Sequence, residues 1–354
     1  MNIRGVWDKA VSLRDCLAHQ RTVTSRRRYA EDEDPFNVKN CFVSDEAKIL
    51  SSKAFRVLGD RTQVFTFPET PLIRDRKAHT MEVVASATIA TEMLGLNTDL
   101  ARAAALGHDI GHVPFGHIGE EWIARAMGSK KFCHEIMASI IAQKIERKGR
   151  GLNLTWHTLD AMLRHSGTMA RAEMSQEAWV VRYADKFAYI FHDVNDIVSR
   201  MKYPVSRELM DVVNIFGVSQ RERTTTAIAG LVVESADCGR VSFESSALAR
   251  KFMLLRSLMY EIYPRVTQQN VDSMMEPVFE FLSTLNIGNP FLLLALMTDT
   301  DVVKIASRKV RGMQAFNLTS VSEIAPHLPA IGKIDLCDPD LEWNSFNPEK
   351  EVMR

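Results

Sequence analysis

Neither sign of charge prevails in this sequence of 354 residues, since 44 Lys and Arg face 44 Asp and Glu. A neutral chain has no long-range field to draw it to nucleic acid or to an anionic membrane, so any anion site must be built locally. Long apolar runs are missing too: no stretch approaches the roughly eighteen residues of a membrane span. Trp7-Asp-Lys and Leu13-Arg-Asp interrupt the N-terminal stretch where a signal peptide would need apolar residues. The five cysteines are odd in number, scattered and without a C-x-x-C pair, which excludes a disulfide framework and a zinc knuckle. P-loop, G-x-G-x-x-G and internal repeats are absent as well. What is left, 46% hydrophobic and 25% charged residues, is the composition of a soluble globular protein with a sizeable core, expected in the cytoplasm and off the membrane.

Against this background the stretch Leu106-Gly-His-Asp-Ile-Gly-His-Val-Pro-Phe-Gly-His-Ile-Gly-Glu120 stands out, with three imidazoles and two carboxylates in fifteen residues. The adjacent pair His108-Asp109 offers a nitrogen and an oxygen ligand at one helix end, a mixed set suited to a divalent ion doing hydrolysis. One pair cannot hold a metal. The candidates to complete the set are His79, in Arg74-Asp-Arg-Lys-Ala-His79, and Asp185, in Val181-Arg-Tyr-Ala-Asp185.

Apolar spacing predicts a mostly α-helical chain. A short amphipathic helix is expected within residues 1–20, followed by the basic cluster Arg21 and Arg26-Arg27-Arg28 and the acidic run from Glu31 to Asp34, read together as a solvated linker. A helix opens at Ser44, and residues 61–68, β-branched and aromatic and closed by proline, read as one arm of a small β-hairpin or an irregular strand. Residues 78–94 form a helix stopped by Gly95, and Asn97 or Thr98 caps the next, which runs into His108-Asp109. If these two helices are antiparallel, His79 at the start of one meets His-Asp at the end of the other. Further helices are expected at 120–127, 136–145, 155–165, 178–200, 209–236, 245–263, 274–285 and 291–297. The resulting division is an N-terminal helix and linker (1–43), a core (44–204), a helical extension (205–325) that completes the pocket and oligomer contacts, and a loose tail (326–354) holding four of the twelve prolines.

The order His, then His-Asp, then Asp, on stretches that each read as helical, resembles the HD phosphohydrolase superfamily. Over about residues 44–200 the chain is similar to its deoxynucleoside triphosphate triphosphohydrolases of the dGTPase type. The motifs that carry the likeness are Phe55-Arg56-Val57-Leu58, Arg61-Thr62-Gln63-Val64, Arg74-Asp-Arg76-Lys-Ala-His79-Thr-Met-Glu82-Val83, the run from His108 to Glu120, and Ala184-Asp185-Lys186 with Tyr189 and Asp193. The implied fold is an HD-domain helical bundle with extra helices.

The resemblance makes His79, His108, Asp109 and Asp185 the ligands of a divalent cation (manganese, magnesium or iron), the same four that the residue types alone suggest. It sets His112, His117 and Glu120 beside the bond that breaks, with His134 as a further active-site histidine. Arg56, Arg76 and Lys186 match phosphate-binding positions. Gln63, Tyr189 and Asp193 match positions that touch the deoxyribose, and Tyr260 or Tyr263 is expected to add to the pocket. The departures are Val57 and Arg61, where relatives carry Arg and Lys, Val113 where they carry Pro, and Ser44-Asp-Glu-Ala-Lys48-Ile49 in place of a basic run. They touch base choice and any activator site, not the metal set.

The implied activity is hydrolysis of a deoxynucleoside triphosphate to deoxynucleoside and tripolyphosphate by a homo-oligomer, with an allosteric nucleotide or single-stranded DNA as candidate activator. The rivals are another HD phosphohydrolase, such as a nucleotide phosphatase or cyclic-nucleotide phosphodiesterase, and a non-catalytic nucleotide or nucleic-acid binding module using Arg21 to Arg28 and the basic loop 146–151.

Overall fold

Asp75 starts the helix around which the rest assembles. Its carboxylate accepts from Ala78 N at 2.7 Å, and α4 (Arg76–Leu94) then runs to Gly95, whose left-handed backbone (φ 76°) ends it. A Cβ at Gly95 would also meet Ala18 Cβ at 2.9 Å, so glycine is required twice over. The buried positions of α4 include His79, Val83, Ala87, Ala90 and Leu94, a stripe at three- and four-residue spacing. Against it lies α5 (Thr98–Gly107), capped by Asn97, whose buried Ala101, Ala103, Ala104 and Ala105 allow close approach. The long α9 (Gln176–Asn195) packs on both. This antiparallel pair with its crossing partner is the part of the fold that positions the site.

The computed structural model describes residues 2–30, 39–66, 68, 70–267, 270–307 and 312–342. Ahead of the central helices come α1 (Ile3–Ser12), α2 (Cys41–Leu50) and α3 (Lys53–Val57). Between α5 and α9 lie α6 (Gly116–Met127), α7 (His134–Ile140) and α8 (Trp156–Arg164). After them come α10 (Arg207–Phe216), α11 (Gln220–Cys238), α12 (Ala247–Val266), α13 (Asp272–Thr284), α14 (Pro290–Leu296), α15 (Asp299–Ala306), α16 (Gly312–Asn317) and α17 (Leu328–Ile331). The chain is mostly α-helical, as the apolar spacing predicts. α1 packs on α11, with Trp7 Nε1 donating to Thr226 Oγ1 at 3.1 Å. Phe187, Phe191, Phe216 and Phe252 fill the space between α9, α10 and α12 edge-on, a geometry their ring quadrupoles favour.

Four expectations need correction. Among the described residues no hairpin forms at 61–68; backbone pairing there is the single bridge Thr62–Asp75, because Arg61 and Thr62 are held by side-chain bonds to distant segments instead. The expected helix 209–236 is two helices, broken at Gly217 (φ 138°) and restarted by the Ser219–Glu222 capping box. In the basic cluster Arg21, Arg26 and Arg28 are exposed, but Arg27 is not a solvated charge: it pairs with buried Asp45 and donates to Cys41 O at 2.8 Å and Asn153 O at 2.7 Å, which clasps α2 to the segment before α8. The acidic run that follows lies outside the described residues. The tail is packed rather than loose as far as residue 342: Leu336 and Leu341 are buried, and Asp340 pairs with Arg28 and Lys144. Residues 343–354 lie outside the described set.

Candidate metal centre

His79 stands in the first turn of α4, His108 caps the C-terminus of α5, Asp109 follows it, and Asp185 projects from the middle of α9. Because α4 and α5 are antiparallel, the two histidines meet, and α9 brings the second carboxylate. His79 Nε2 lies 3.1 Å from Asp185 Oδ1 and 3.9 Å from Asp109 Oδ2. His108 Nε2 lies 3.3 Å from Asp109 Oδ1 and 3.8 Å from Asp185 Oδ1. His108 Nδ1 donates to Ala105 O at 2.6 Å, so Nε2 is the nitrogen that faces the carboxylates; burial opposes charge on this imidazole, but Asp109 raises its pKa, and a bound ion would take the place of the Nε2 proton. That Nε2 is buried and makes no hydrogen bond. An orphaned buried nitrogen facing two carboxylates fits a cation between them.

The electrostatics agree. Burial opposes charge on Asp109, yet His108 and Arg76 outweigh it and hold the carboxyl well below its usual range. Burial likewise opposes Asp185, but the hydrogen bond from His79 and its charge bring it down to about 2. Both carboxylates are therefore ionised and ready to bind metal at neutral pH.

Arg76, expected to meet phosphates, is 1% exposed and lies beside the quartet, bonded to Asp109. Its Nη1 donates to Asp109 Oδ2 at 2.6 Å, Nε to Thr62 O at 3.1 Å and Nη2 to Gln63 O at 3.0 Å. Arg56 is exposed on α3, with Glu323 as an electrostatic neighbour. Gln63 is nearly buried, and its Oε1 has no hydrogen-bond partner.

The second group of expected residues gathers on the other side of Asp109. His112 Nε2 is 3.4 Å from Asp109 Oδ1, and the His112 ring stacks on His134 at 3.7 Å. Glu120 Oε2 accepts from His134 Nδ1 at 2.8 Å and lies 3.8 Å from both His112 Nδ1 and His117 Nδ1. His117 is mostly exposed, at the mouth. Burial works against a charged His134, but Glu135 and Glu120 prevail and raise it to about 9; burial and Arg76 push His112 well below the usual imidazole range. Gly111 permits this crowding, since a Cβ there would lie 2.1 Å from His134 O.

Lys186 and Tyr189 follow Asp185 along α9. Burial, then Arg182 and Arg256, lower Lys186 to about 8, the mark of a local concentration of cations on a neutral protein. Tyr189 OH and Tyr260 OH lie 3.3 Å apart, and Arg256 donates to both, at 3.2 and 3.3 Å. Asp193 is fully buried, bonded to Arg74 at 2.7 Å and to Tyr263 OH at 2.6 Å.

Residue spacing did not reveal four participants. His165, buried at the end of α8, faces His134 Nε2 at 3.3 Å and Asp109 Oδ1 at 3.8 Å. Arg61, visible only as a departure from the family pattern, is fully buried and donates to the carbonyls of His112, Leu296 and Met297. Asp299 accepts from Thr62 and from Phe115 N, tying the loop after Asp109 to α15. Arg256 was legible only as part of a helix. Apart from Arg256 and Tyr260, which are one helical turn apart, no sequence spacing pairs these residues with their partners, which lie far along the chain.

Comparison with known proteins agrees with this geometry. Residues 76–190 match the HD domain family, a span that starts at the helix carrying His79 and ends just past Asp185. The chain is 34% identical over 237 residues to a deoxyguanosinetriphosphate triphosphohydrolase-like protein of Caldanaerobacter subterraneus subsp. tengcongensis, covering 67% of this chain and 69% of that one. It is 34% identical over 261 residues to the like-named protein of Clostridium perfringens strain SM101 (70% and 76% covered) and 32% identical over 253 residues to that of Clostridium tetani (70% and 72%). With its histidines and aspartates converging as the HD motif requires, the chain belongs to the HD-domain phosphohydrolases, in the family of deoxyguanosinetriphosphate triphosphohydrolase-like proteins.

Proposed function

We propose that this protein hydrolyses deoxynucleoside triphosphates at the α-phosphorus, releasing deoxynucleoside and tripolyphosphate. The observation that carries the reading is the convergence of His79, His108, Asp109 and Asp185 with an orphaned imidazole nitrogen among them. These four would hold a divalent manganese, magnesium or iron ion, which supplies Lewis acidity toward a phosphoryl oxygen and lowers the pKa of water. Arg76 keeps Asp109 oriented and ionised. Glu120 takes the proton of the attacking water, and His134, bonded to it, keeps the carboxylate in place and ionised until then. His117, at the solvent side of Glu120, returns a proton to the leaving oxygen. Lys186, with Arg182 and Arg256 nearby, neutralises the polyphosphate, while Tyr189 and Tyr260 give the sugar and base a wall with hydroxyl groups.

The test is product analysis: incubate the purified protein with each of the four deoxynucleoside triphosphates and manganese, then separate the products. Inorganic tripolyphosphate is expected in equimolar amount with deoxynucleoside. Orthophosphate or pyrophosphate in its place would mean a different HD phosphohydrolase reaction, and binding without turnover would mean a sensor.

A further inference from the structure

Three imidazole nitrogens surround one carboxylate oxygen on the solvent side of the quartet. Glu120 Oε2 has His134 Nδ1 at 2.8 Å, His112 Nδ1 at 3.8 Å and His117 Nδ1 at 3.8 Å, and the four ligand atoms all lie within 4.8 Å of one another. The edge of a tetrahedron with metal–ligand bonds of about 2.05 Å is roughly 3.4 Å, and the three distances from Glu120 bracket it.

Hydrogen bonding among the four groups leaves one of them unexplained. Only His134 is close enough to donate to Glu120. His112 Nδ1 lies 3.8 Å from the same oxygen, is buried, and has no hydrogen-bond partner among the described residues.

The far nitrogens of the two buried rings are supported as metal-binding histidines usually are. His112 Nε2 lies 3.4 Å from Asp109 Oδ1. His165 donates its Nδ1 proton to Met162 O at 2.7 Å, so the neutral ring offers a lone pair at Nε2, and His134 Nε2 at 3.3 Å donates to it. The contact with Asp109 puts the His112 proton on Nε2 and its lone pair on Nδ1, toward Glu120; His134 Nδ1 donates to Glu120 in the metal-free protein and gives up that proton when an ion binds.

We propose that His112, His117, His134 and Glu120 form a second cation site, separate from the His79–His108–Asp109–Asp185 quartet, that takes a zinc-class transition metal ion and halts hydrolysis when filled. Three imidazoles and one carboxylate select zinc, cobalt or copper over magnesium and manganese, which prefer oxygen-rich sets. The site opens to solvent through His117, so the ion can enter and leave. The inhibition rests on the reading under Proposed function, because it comes from occupying the Glu120 lone pair and displacing the His117 proton that the reaction needs; the binding does not.

Metal-stripped protein titrated with Co(II), followed by calorimetry and by the visible spectrum, tests both parts. Wild type is expected to take up two equivalents, one with tetrahedral absorption. His117→Ala, a surface change that leaves the fold intact, and Glu120→Gln should each lose the tetrahedral equivalent and keep the other. His79→Ala should do the reverse. With the manganese-loaded enzyme, one added equivalent of Zn(II) should cut turnover at least about a hundredfold, the range of a lost general base. A single equivalent in wild type, or a tetrahedral equivalent that persists in both His117→Ala and Glu120→Gln, overturns the second site. If the tetrahedral equivalent behaves as stated but His79→Ala still binds two, the second site stands and the assignment of the quartet falls.

Discussion

Two buried clusters of charge lie within a few helical turns of each other on α9, and they are built on opposite plans. Around Asp109 and Asp185 the acids face imidazoles; His79 is bonded to Asp185, but among the described residues His108 Nε2 is left without a hydrogen bond. Around Arg74 each nitrogen of one guanidinium faces a different carboxylate: Nη2 to Asp193 and Nη1 to Asp196, both at 2.7 Å, and Nε to Glu82 at 3.0 Å. Both clusters are inaccessible and rich in acids, so burial and charge do not tell them apart. The difference is in the kind of atom left without a hydrogen bond: Arg74 Nε and Glu82 Oε2 face each other as opposite charges at 3.0 Å, whereas His108 Nε2 is a ligand atom facing two carboxylates. A cluster whose charges are complete holds the fold together, whereas one with ligand atoms to spare is prepared for something that arrives later.

The largest effect should come from the incomplete cluster. Asp109→Asn keeps the shape and the hydrogen bond from Arg76 but removes a ligand charge. A loss of several kcal/mol of transition-state stabilisation, about a thousandfold in turnover, is expected, with the helical circular dichroism unchanged. Turnover within tenfold of wild type would remove Asp109 from the site.

The complete cluster should respond in stability instead. Arg74→Met leaves buried Asp193 without a counter-charge and buried Asp196 with Arg200 alone, and should cost about 3–5 kcal/mol in urea unfolding, with metal stoichiometry at the quartet preserved. A stable variant that had lost its metal would reverse the roles assigned to the two clusters.

The two clusters were not equally legible in the sequence. His108-Asp109 is an adjacent pair, His79 sits at the start of the preceding helix, and capping residues fix both helix ends, so local rules were enough to bring three ligands together. The Arg74 cluster follows no such rule: Glu82 and Asp193 are singled out only by the family likeness, with no sign that they pair with Arg74, and Asp196 carries no signal until α4 and α9 are docked. His165 was hidden for the same reason, since its partners His134 and Asp109 reach it only through the packing of α7 and α8. The segment 61–68 misled in another way. Val64, Phe65 and Thr66 have β propensity, but among the described residues no strand pairs with them, and the bonds of Arg61 and Thr62 to the α14–α15 region settle its path.

Acid should separate the clusters next. In the metal-free protein the folded pKa of Asp185 is about 2, below its unfolded value, so its contribution is complete above about pH 4 and is lost as pH falls through 2. The shift corresponds to about 2 kcal/mol. Urea midpoints measured from pH 5 to pH 2 should therefore fall more steeply for wild type than for Asp185→Asn. Parallel curves would mean that His79 does not stabilise the ionised carboxylate.

The smallest effect tests where one cluster ends and the pocket begins. Tyr263 OH donates to Asp193 at 2.6 Å, and Arg74 holds the other carboxylate oxygen. Burial raises the pKa of Asp193 despite both partners, so this carboxylate depends on every donor it has. Tyr263→Phe removes one donor without opening a cavity and should cost about 1 kcal/mol, the net value of a buried hydrogen bond. If Asp193 belongs wholly to the complete cluster, kcat and KM for a deoxynucleoside triphosphate should stay within about twofold of wild type, as for changes outside a binding site. The likeness to relatives gives Asp193 a sugar hydroxyl as partner, and a tyrosine hydroxyl already occupies that oxygen here. A tighter KM in Tyr263→Phe would show that substrate and Tyr263 compete for the same carboxylate, which would move Asp193 from the structural cluster into the pocket.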